Sequence, residues 1–324
     1  PDVHAAAIWL AIRPTVSKRL SLPFGVSSAF AKRMAEVFQI ELPRVDKALS
    51  PRTSTGGRQA GLLFSGGVDS IAAALVLPRQ TPLLFMDRIP YWSPWDYIDN
   101  QESLVDLRAQ RALIGKMQKH GHSAHITRDD HEALFDPYPY WHSPTHFLPA
   151  LYLADSLQLN MIGTGDVLDG VALGGYRSPD VSSWRFKASA IGARLEASVR
   201  RNSGEVTESS GIDESVSALF TSLGFQQCTP IGGLFEVGSA LIVNRSHLKG
   251  QATSCYYPSD DSNYCLRCDK CFKKMLLDYV IDDQEVPFDF FEHFLRYPYL
   301  ADIFKHPYFD WHHIWYYIFQ RIRC

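Results

Sequence analysis

One ten-residue segment, GLLFSGGVDS at residues 61–70, constrains the fold more than any other part of the sequence. Its apolar first half is typical of a buried strand, and the Ser-Gly-Gly that follows predicts a tight turn. The run from Ile71 to Leu77 then predicts a helix. A strand, a glycine turn and a helix N-terminus together form a site for one phosphate group, because unpaired backbone N–H groups and the positive end of the helix dipole meet there. Asp69 adds a negative charge, which suits a phosphate that arrives with Mg²⁺.

After this segment the hydrophobic pattern alternates between strands and helices. We predict strands over 82–86, 123–127 and 160–165, and helices over 102–120 and 146–157. Repeated strand–helix units predict a parallel sheet with helices on both faces, which is a doubly wound α/β fold. Ligands of such sheets bind beyond the carboxyl ends of the strands. The loop at 65–70, Asp87 and residues 163–166 all follow predicted strands, so we expect them to share one site.

Four of the six cysteines fall in the pattern C-x9-C-x2-C-x2-C: Cys255, Cys265, Cys268 and Cys271. Four thiolates suit a tetrahedral Zn²⁺, and the two-residue gaps let neighbouring sulfurs reach the same ion. Such a closed site has no open coordination position, so a zinc here would be structural. A [4Fe–4S] cluster, which uses similar gaps, and redox-active or sulfur-carrying thiols are the alternatives. Cys228 and Cys324 stand apart and are interpreted as ordinary thiols.

The string SGGVDS at 65–70 resembles the pyrophosphate loop of the N-type ATP pyrophosphatases, the PP-loop or adenine nucleotide alpha hydrolase-like superfamily. With the later cysteine pattern, residues 60–275 are similar to the 7-cyano-7-deazaguanine synthases of the queuosine pathway. The resemblance implies a HUP-type sheet, ATP and Mg²⁺ as ligands, and a structural zinc. It also implies a ligase that adenylates its substrate, releases pyrophosphate and then AMP, and takes nitrogen from ammonia.

The chain departs from that family in several places, among them an N-terminal domain and an aromatic tail that the family lacks. Leu266 stands where the family has a glycine between the second and third cysteines. The second strand is followed by Asp87-Arg88-Ile89-Pro90 instead of a basic Gly-Gln-Arg-His-type segment. The resemblance therefore implies ATP chemistry and a small, nucleobase-like substrate, but it does not name that substrate.

The loop and the resemblance together give the candidate site residues. Those expected to hold ATP are Ser65, Gly66, Gly67, Val68, Asp69, Ser70 and, against the adenine by resemblance, Phe85, Met86 and Gly163. Those expected to act in catalysis are Asp69, Ser70, Asp166 and Arg177. Asp166 or Asp169 would be a second metal or substrate ligand, and Arg177 would stabilise charge on a phosphate or a substrate carboxylate. A turn cap for the aspartates and a solvated arginine are the alternatives. Weaker candidates are Glu236, Lys270, Lys273, Lys274, His142 and His146.

We expect three regions along the chain. Residues 1–58 form a small N-terminal domain plus linker, 59–250 the PP-loop ATP pyrophosphatase domain, and 251–324 a zinc-binding helical segment. In the first region a helix is predicted over 27–39, with strands before it. The polar stretch 196–215 predicts a surface loop, with an active-site lid as the alternative. The aromatic-rich last forty residues predict a helical tail packed on the core, with a homodimer interface or a nucleobase-stacking surface as alternatives.

Composition limits the partners. The 324 residues carry a formal net charge of −3, which disfavours a nucleic-acid partner. No apolar run reaches the roughly 18 residues that a membrane-spanning helix needs, and no signal peptide is visible. Clustered cysteines suit a metal site better than disulfides, so we expect a cytoplasmic protein.

Three functions stay open on the sequence. The first is an adenylating ligase or amidase that adds nitrogen from ammonia to a small molecule. The second is an ATP-dependent sulfurtransferase, which needs a sulfur donor and a persulfide-bearing cysteine or an iron–sulfur cluster. The third is a nucleotide-binding or protein-modifying partner without small-molecule turnover.

Overall fold

The computed structural model of the chain describes residues 1–52, 59–88, 108–129, 143–168, 211–253, 255, 264–266, 268–297 and 312–322. At its centre lies a parallel sheet of five strands: β1 (Gln59–Leu63), β2 (Leu83–Arg88), β3 (Ala124–Asp129), β4 (Leu159–Gly163) and β5 (Gln226–Cys228). Their spatial order is β3-β2-β1-β4-β5. The direction of winding reverses between β1 and β4, and the loops after these two strands diverge there to leave a crevice.

Helices connect and cover the strands. In chain order they are α1 (Asp2–Ile12), α2 (Ser28–Phe38), α3 (Val68–Val76), α4 (Arg108–Lys119), α5 (Leu148–Tyr152), α6 (Gly211–Ser222), α7 (Glu236–Asn244), α8 (Asp269–Ile281), α9 (Phe288–Leu295) and α10 (His312–Arg321). Short 3₁₀ turns occupy Arg13–Thr15 and Ser143–Phe147. Within the described ranges, none of these helices has the length and apolar character that crossing a membrane requires.

The sheet is covered on both faces, as predicted. Side chains alternate along β2, so that Leu84 joins one hydrophobic cluster while Leu83 and Phe85 join another. The first cluster contains side chains from α1, α2, α5 and α6, and the second contains side chains from α3, α4 and α7. The N-terminal helices thus share their core with the sheet.

The prediction of strands before residue 27 is wrong for the first twelve residues, which contain α1. This helix is alanine-rich and buried on most of its surface, so it lacks the one-sided apolar pattern by which helices are recognised. The buried Asp2 carboxylate accepts hydrogen bonds from the Ser27 backbone N–H at 2.8 Å and from its Oγ at 2.6 Å. Ser27 in turn caps α2 by accepting from the Phe30 N–H, which confirms the predicted start of that helix.

Other boundaries differ by a few residues. The helix predicted over 146–157 is a 3₁₀ turn followed by α5, which ends at Tyr152 because the chain turns through Leu153–Gln158 into β4. Residues 211–215, predicted as part of a surface loop, begin α6. The remainder of that loop, residues 196–210, and the first residues of the predicted 102–120 helix lie outside the described residues.

A third hydrophobic cluster fills the C-terminal part. Phe272 of α8 stacks on Phe290 of α9 with 5.5 Å between ring centroids, and α10 contributes Ile314 and Ile318. Three cysteines belong to the same cluster: Cys255, Cys268 and Cys271. Most of the described aromatic residues of this region therefore pack as a helical tail on the cysteine-bearing segment, whereas Phe288, Tyr316 and Phe319 are exposed.

Candidate functional site

A cleft of about 500 Å³ lies at the carboxyl ends of β1, β2 and β4, where the winding of the sheet reverses. One wall is the loop between β1 and α3, and another is the loop after β4. The predicted site residues that line it are Ser65, Gly67, Val68, Asp69, Ser70, Phe85, Met86 and Asp166. Several residues from late in the chain line it as well: Glu236, Thr253, Cys255, Lys270, Lys273 and Lys274. Segments from residues 63–70 and 236–274 thus meet at one cavity.

The turn between β1 and α3 has a conformation that only glycine adopts easily. Gly66 has a φ of +82°, and a Cβ there would lie 2.7 Å from Thr253 Oγ1. The Gly66 carbonyl accepts two hydrogen bonds from Thr253, at 2.8 Å from its N–H and at 3.1 Å from its Oγ1. Gly66 is therefore buried behind the cleft wall, and a residue two positions before Cys255 fixes the shape of the loop.

The first turn of α3 is held close to the loop after β4. A Cβ on Gly165 would come within 2.8 Å of the backbone N and Cα of Ser70, so only glycine permits this approach. Ser70 Oγ donates to the Gly67 carbonyl at 3.0 Å and lies 3.3 Å from Ser65 Oγ. These two hydroxyls and the start of α3 face the same cavity, as an anion site requires.

A buried charge cluster forms the opposite wall. Glu236, the first residue of α7, pairs through Oε2 with Lys273 Nζ at 3.0 Å and through Oε1 with Lys274 Nζ. Both lysines belong to α8 and are buried. Burial alone would raise the pKa of Glu236, but Lys274 and Lys273 outweigh it and lower that pKa to about 2. The Glu236 carboxylate is thus charged at neutral pH and keeps two ammonium groups at the edge of the cleft.

Asp69 connects this cluster to the loop. Its Oδ1 accepts a hydrogen bond from Ser239 Oγ of α7. Burial raises the pKa of Asp69, and the nearby Lys274 opposes that rise. Asp69 therefore lies between the loop at 65–70 and the buried lysines. Its role as a Mg²⁺ ligand stays a prediction.

The other candidates occupy different positions. Asp166 lines the cleft, and its Oδ2 accepts from Thr164 Oγ1 at 2.6 Å, as a turn-capping aspartate does. Asp87 does not line the described cleft: it is buried under ion pairs with Arg111 at 2.6 Å and Arg128 at 3.5 Å. Gly163 ends β4 just before the lining residues, and His146 is exposed at the rim. Three candidates lie outside the described residues: His142, Asp169 and Arg177. Cys324 lies outside them as well.

The four clustered cysteines can hold a metal ion. Their sulfur atoms all lie within 4.8 Å of one another: Cys255, Cys265, Cys268 and Cys271. The measured pairs are 3.3, 3.7 and 4.0 Å apart. A tetrahedral ion with metal–sulfur bonds of about 2.3 Å holds its ligands about 3.8 Å apart, so the spacing fits one ion. The neighbouring Cys255 and Cys265 thiols raise the pKa of both Cys268 and Cys271, a penalty that a bound cation removes.

The turn inside the cysteine cluster contains Leu266, at the position where the sequence analysis noted a leucine in place of a glycine. Leu266 has a φ of +60°, the left-handed conformation that favours glycine. Its carbonyl lies 2.7 Å from His293 Nε2 of α9, which connects the turn to the helical tail. A non-glycine residue therefore occupies this turn in a strained conformation.

Several residues that line the cleft or support its walls escaped the sequence analysis. Thr253 and Ser239 belong to no motif, and only the folded chain brings them to the loop. Gln110 lies inside a predicted helix whose buried face gives no sign of a ligand site, yet it lines the cleft. Cys228 ends β5, and burial raises the pKa of its thiol, which disfavours a reactive thiolate.

Comparison with known proteins gives little further information. Residues 215–323 match the model of a family of unknown function, DUF6395. Comparison with curated proteins and with solved structures gives no significant match. The matched region contains α7, the cysteine cluster and the buried lysines, but not the loop at 65–70.

Proposed function

We propose that the chain is an ATP-dependent enzyme of the PP-loop class, which adenylates a carboxylate or carbonyl oxygen of a small, nucleobase-like molecule. The observation that carries the proposal is that the loop at 65–70 opens onto a cleft where the winding of the sheet reverses. Nucleotides bind at such positions in doubly wound sheets. The cavity has a volume typical of sites for small organic ligands.

The groups around the cleft suit a departing pyrophosphate. The N-terminal turn of α3 offers backbone N–H groups, and Ser65 and Ser70 offer hydroxyls. Lys273 and Lys274 supply positive charge that is already in place, since Glu236 fixes both ammonium groups before any ligand arrives. Preorganised charge of this kind stabilises a transition state without a cost of reorganisation.

The reaction that fits these groups is an in-line displacement at the α phosphorus. A substrate oxygen attacks, the bond to the β-phosphate oxygen breaks, and pyrophosphate leaves toward the loop and the lysines. Mg²⁺ would neutralise part of the phosphate charge, and Asp69 and Asp166 are the carboxylates at the cleft that suit it. Ammonia would then displace AMP from the adenylated substrate. The apolar side chains of Phe85 and Met86 suit the adenine.

We assign zinc to the four-cysteine site as a structural ion. Its sulfur spacing fits a single tetrahedral centre. A four-iron cluster binds each thiolate to a different iron and so needs a wider set of sulfurs. Because Cys255 lies two residues after Thr253 and Cys271 two residues before Lys273, the ion would hold both segments that border the cleft.

Product analysis tests the proposal. Incubation with ATP, Mg²⁺, ammonia and a panel of nucleobase-like carboxylic acids should give AMP and pyrophosphate. Metal analysis of the purified protein should give zinc without visible absorbance, whereas iron, or colour, would support the sulfur-transfer alternative. Formation of ADP, or no turnover with any acid while ATP still binds, would instead support a nucleotide-binding module.

A matched pair of variants tests the site. Asp69→Asn should abolish AMP formation, whereas Asp289→Asn should leave it unchanged. Asp289 also lies in the first turn of a helix, α9, but it is exposed and far along the chain from the cleft-lining segments. Full activity of Asp69→Asn would refute the role given to the loop.

A further inference from the structure

Gln110 is a buried residue of α4 whose side chain lines the cleft. It is 7% exposed, and its Oε1 has no hydrogen-bond partner in the described part of the chain. The side chain lies against the loop at 65–70, since its Cγ is 3.3 Å from the position that a Cβ on Gly66 would occupy. Gln110 thus lines the cleft beside the loop, while its Oε1 is inaccessible to solvent and has its hydrogen bond unmade.

An unmade hydrogen bond at this place indicates a ligand. A buried amide oxygen without a partner costs about 1–3 kcal/mol, so buried amides are generally paired. Gln118, an exposed residue of the same helix, has a partner even so, because its Nε2 donates to the Ala124 carbonyl at 3.2 Å. Because Gln110 lines the cleft, a rotation of its amide about the last side-chain torsion would present the group to a bound molecule, which could then complete its hydrogen bonding.

The position of Gln110 indicates which part of a nucleotide it meets. Its neighbour is Gly66, which belongs to the loop that the proposed function assigns to phosphate. Phe85 and Met86, which the proposed function assigns to the adenine, lie on β2 instead. An amide suits phosphate, because it can turn its NH₂ toward a phosphate oxygen or its oxygen toward a metal-bound water. It is also neutral, and so adds no charge to a wall that already holds Lys273 and Lys274.

We propose that Gln110 is a ligand-contacting residue that hydrogen-bonds to the pyrophosphate portion of the nucleotide. This inference rests on the proposed function and adds a contact that no sequence motif predicts. A glutamine at this position selects for a polyphosphate over a nucleoside monophosphate, because the second and third phosphates are the groups that reach the loop.

Calorimetric titration with inorganic pyrophosphate, ATP and AMP, each with Mg²⁺, tests this assignment. Gln110→Leu should weaken binding of pyrophosphate and ATP about tenfold, the value of one hydrogen bond to a charged group, and change AMP binding less than about twofold. Gln110→Glu should weaken the first two further, because a carboxylate repels phosphate. Gln118→Leu is the matched control and should bind all three like the wild-type chain.

Thermal unfolding without ligand separates a binding role from a structural one. Gln110→Leu should melt at the wild-type temperature or above it, because leucine removes an unpaired buried oxygen at nearly constant volume. A lower melting temperature would mean that Gln110 stabilises the fold. Unchanged pyrophosphate binding, or an equal loss for AMP and pyrophosphate, would overturn the assignment while leaving the proposed function intact. A wild-type chain that binds neither pyrophosphate nor ATP would refute both.

Discussion

Replacement of Glu236 by glutamine tests the buried charge cluster quantitatively. Two almost fully buried ammonium groups depend on this one carboxylate, whose pKa falls from an ordinary 4.5 to about 2. A shift of this size corresponds to about 3 kcal/mol of stabilisation of the charged form, and loss of one partner from a buried ion pair costs a similar amount. Glu236→Gln should therefore lower the free energy of unfolding by about 3 kcal/mol, measured by urea denaturation at neutral pH.

The pH dependence of this loss follows from the direction of the shift. Because the pKa of Glu236 is lower in the folded chain than in the unfolded one, its stabilisation is complete above about pH 4.5 and disappears as the pH falls toward 2. The difference between wild type and variant should accordingly be constant from about pH 6 to about pH 8. Glu36→Gln is the control, since its pair with Lys32 at 3.7 Å is exposed and is worth at most about 0.5 kcal/mol. A loss for Glu236→Gln as small as that of the control would refute the reasoning.

Three further predictions concern the loops and the metal. Gly165→Ala should separate the loop after β4 from the first turn of α3 and weaken pyrophosphate binding more than tenfold, because the new Cβ would clash with the Ser70 backbone; Gly233→Ala, where the new Cβ has open space, should bind normally. Leu266→Gly should raise the melting temperature by about 1–3 °C, since relief of a left-handed conformation worth about 1–2 kcal/mol exceeds the added chain entropy; Leu266→Ala should give no gain. Removal of the proposed zinc with a chelator should lower the melting temperature and increase hydrogen exchange at residues 65–70, because Thr253 holds this loop from a position next to the cysteine cluster. Unchanged exchange there would show that the metal site and the loop are independent.

The sheet could be predicted because local patterns determine it. Three of the five strands, β1, β2 and β4, contain short apolar runs between turn signals, and β3 follows the same alternation with helices although its segment is more polar. The loop at 65–70 has the composition that a strand–turn–helix corner demands. The strand at Gln226–Cys228 was not predicted, because three residues are too few for a periodic pattern. The mostly buried α1 escaped for a different reason, since its apolar residues lie on most sides and leave no broad polar face that would indicate a helix.

The motifs of the candidate site could be predicted from the sequence, but the long-range contacts that complete it could not. The cysteine spacing predicted a cluster, and the structure brings the four sulfurs together. Nothing in the sequence predicts the hydrogen bond between Thr253 and Gly66 or the one between Ser239 and Asp69, because contacts across more than 150 positions leave no local pattern. Asp87 shows the converse, since it follows a strand as a site residue would, yet its two arginine partners are visible only in the fold.

The hydrogen bonds between Gly66 and Thr253, which span 187 positions, have a consequence for synthesis on the ribosome. The strand, turn and helix of the early loop emerge when the residues that complete the cleft have yet to be translated, and until then the Gly66 carbonyl is hydrated. A nascent chain therefore presents only half of an anion site. On the proposed function, binding of a polyphosphate would depend on this later segment, so that translation products stopped before Thr253 would not retain the ligand.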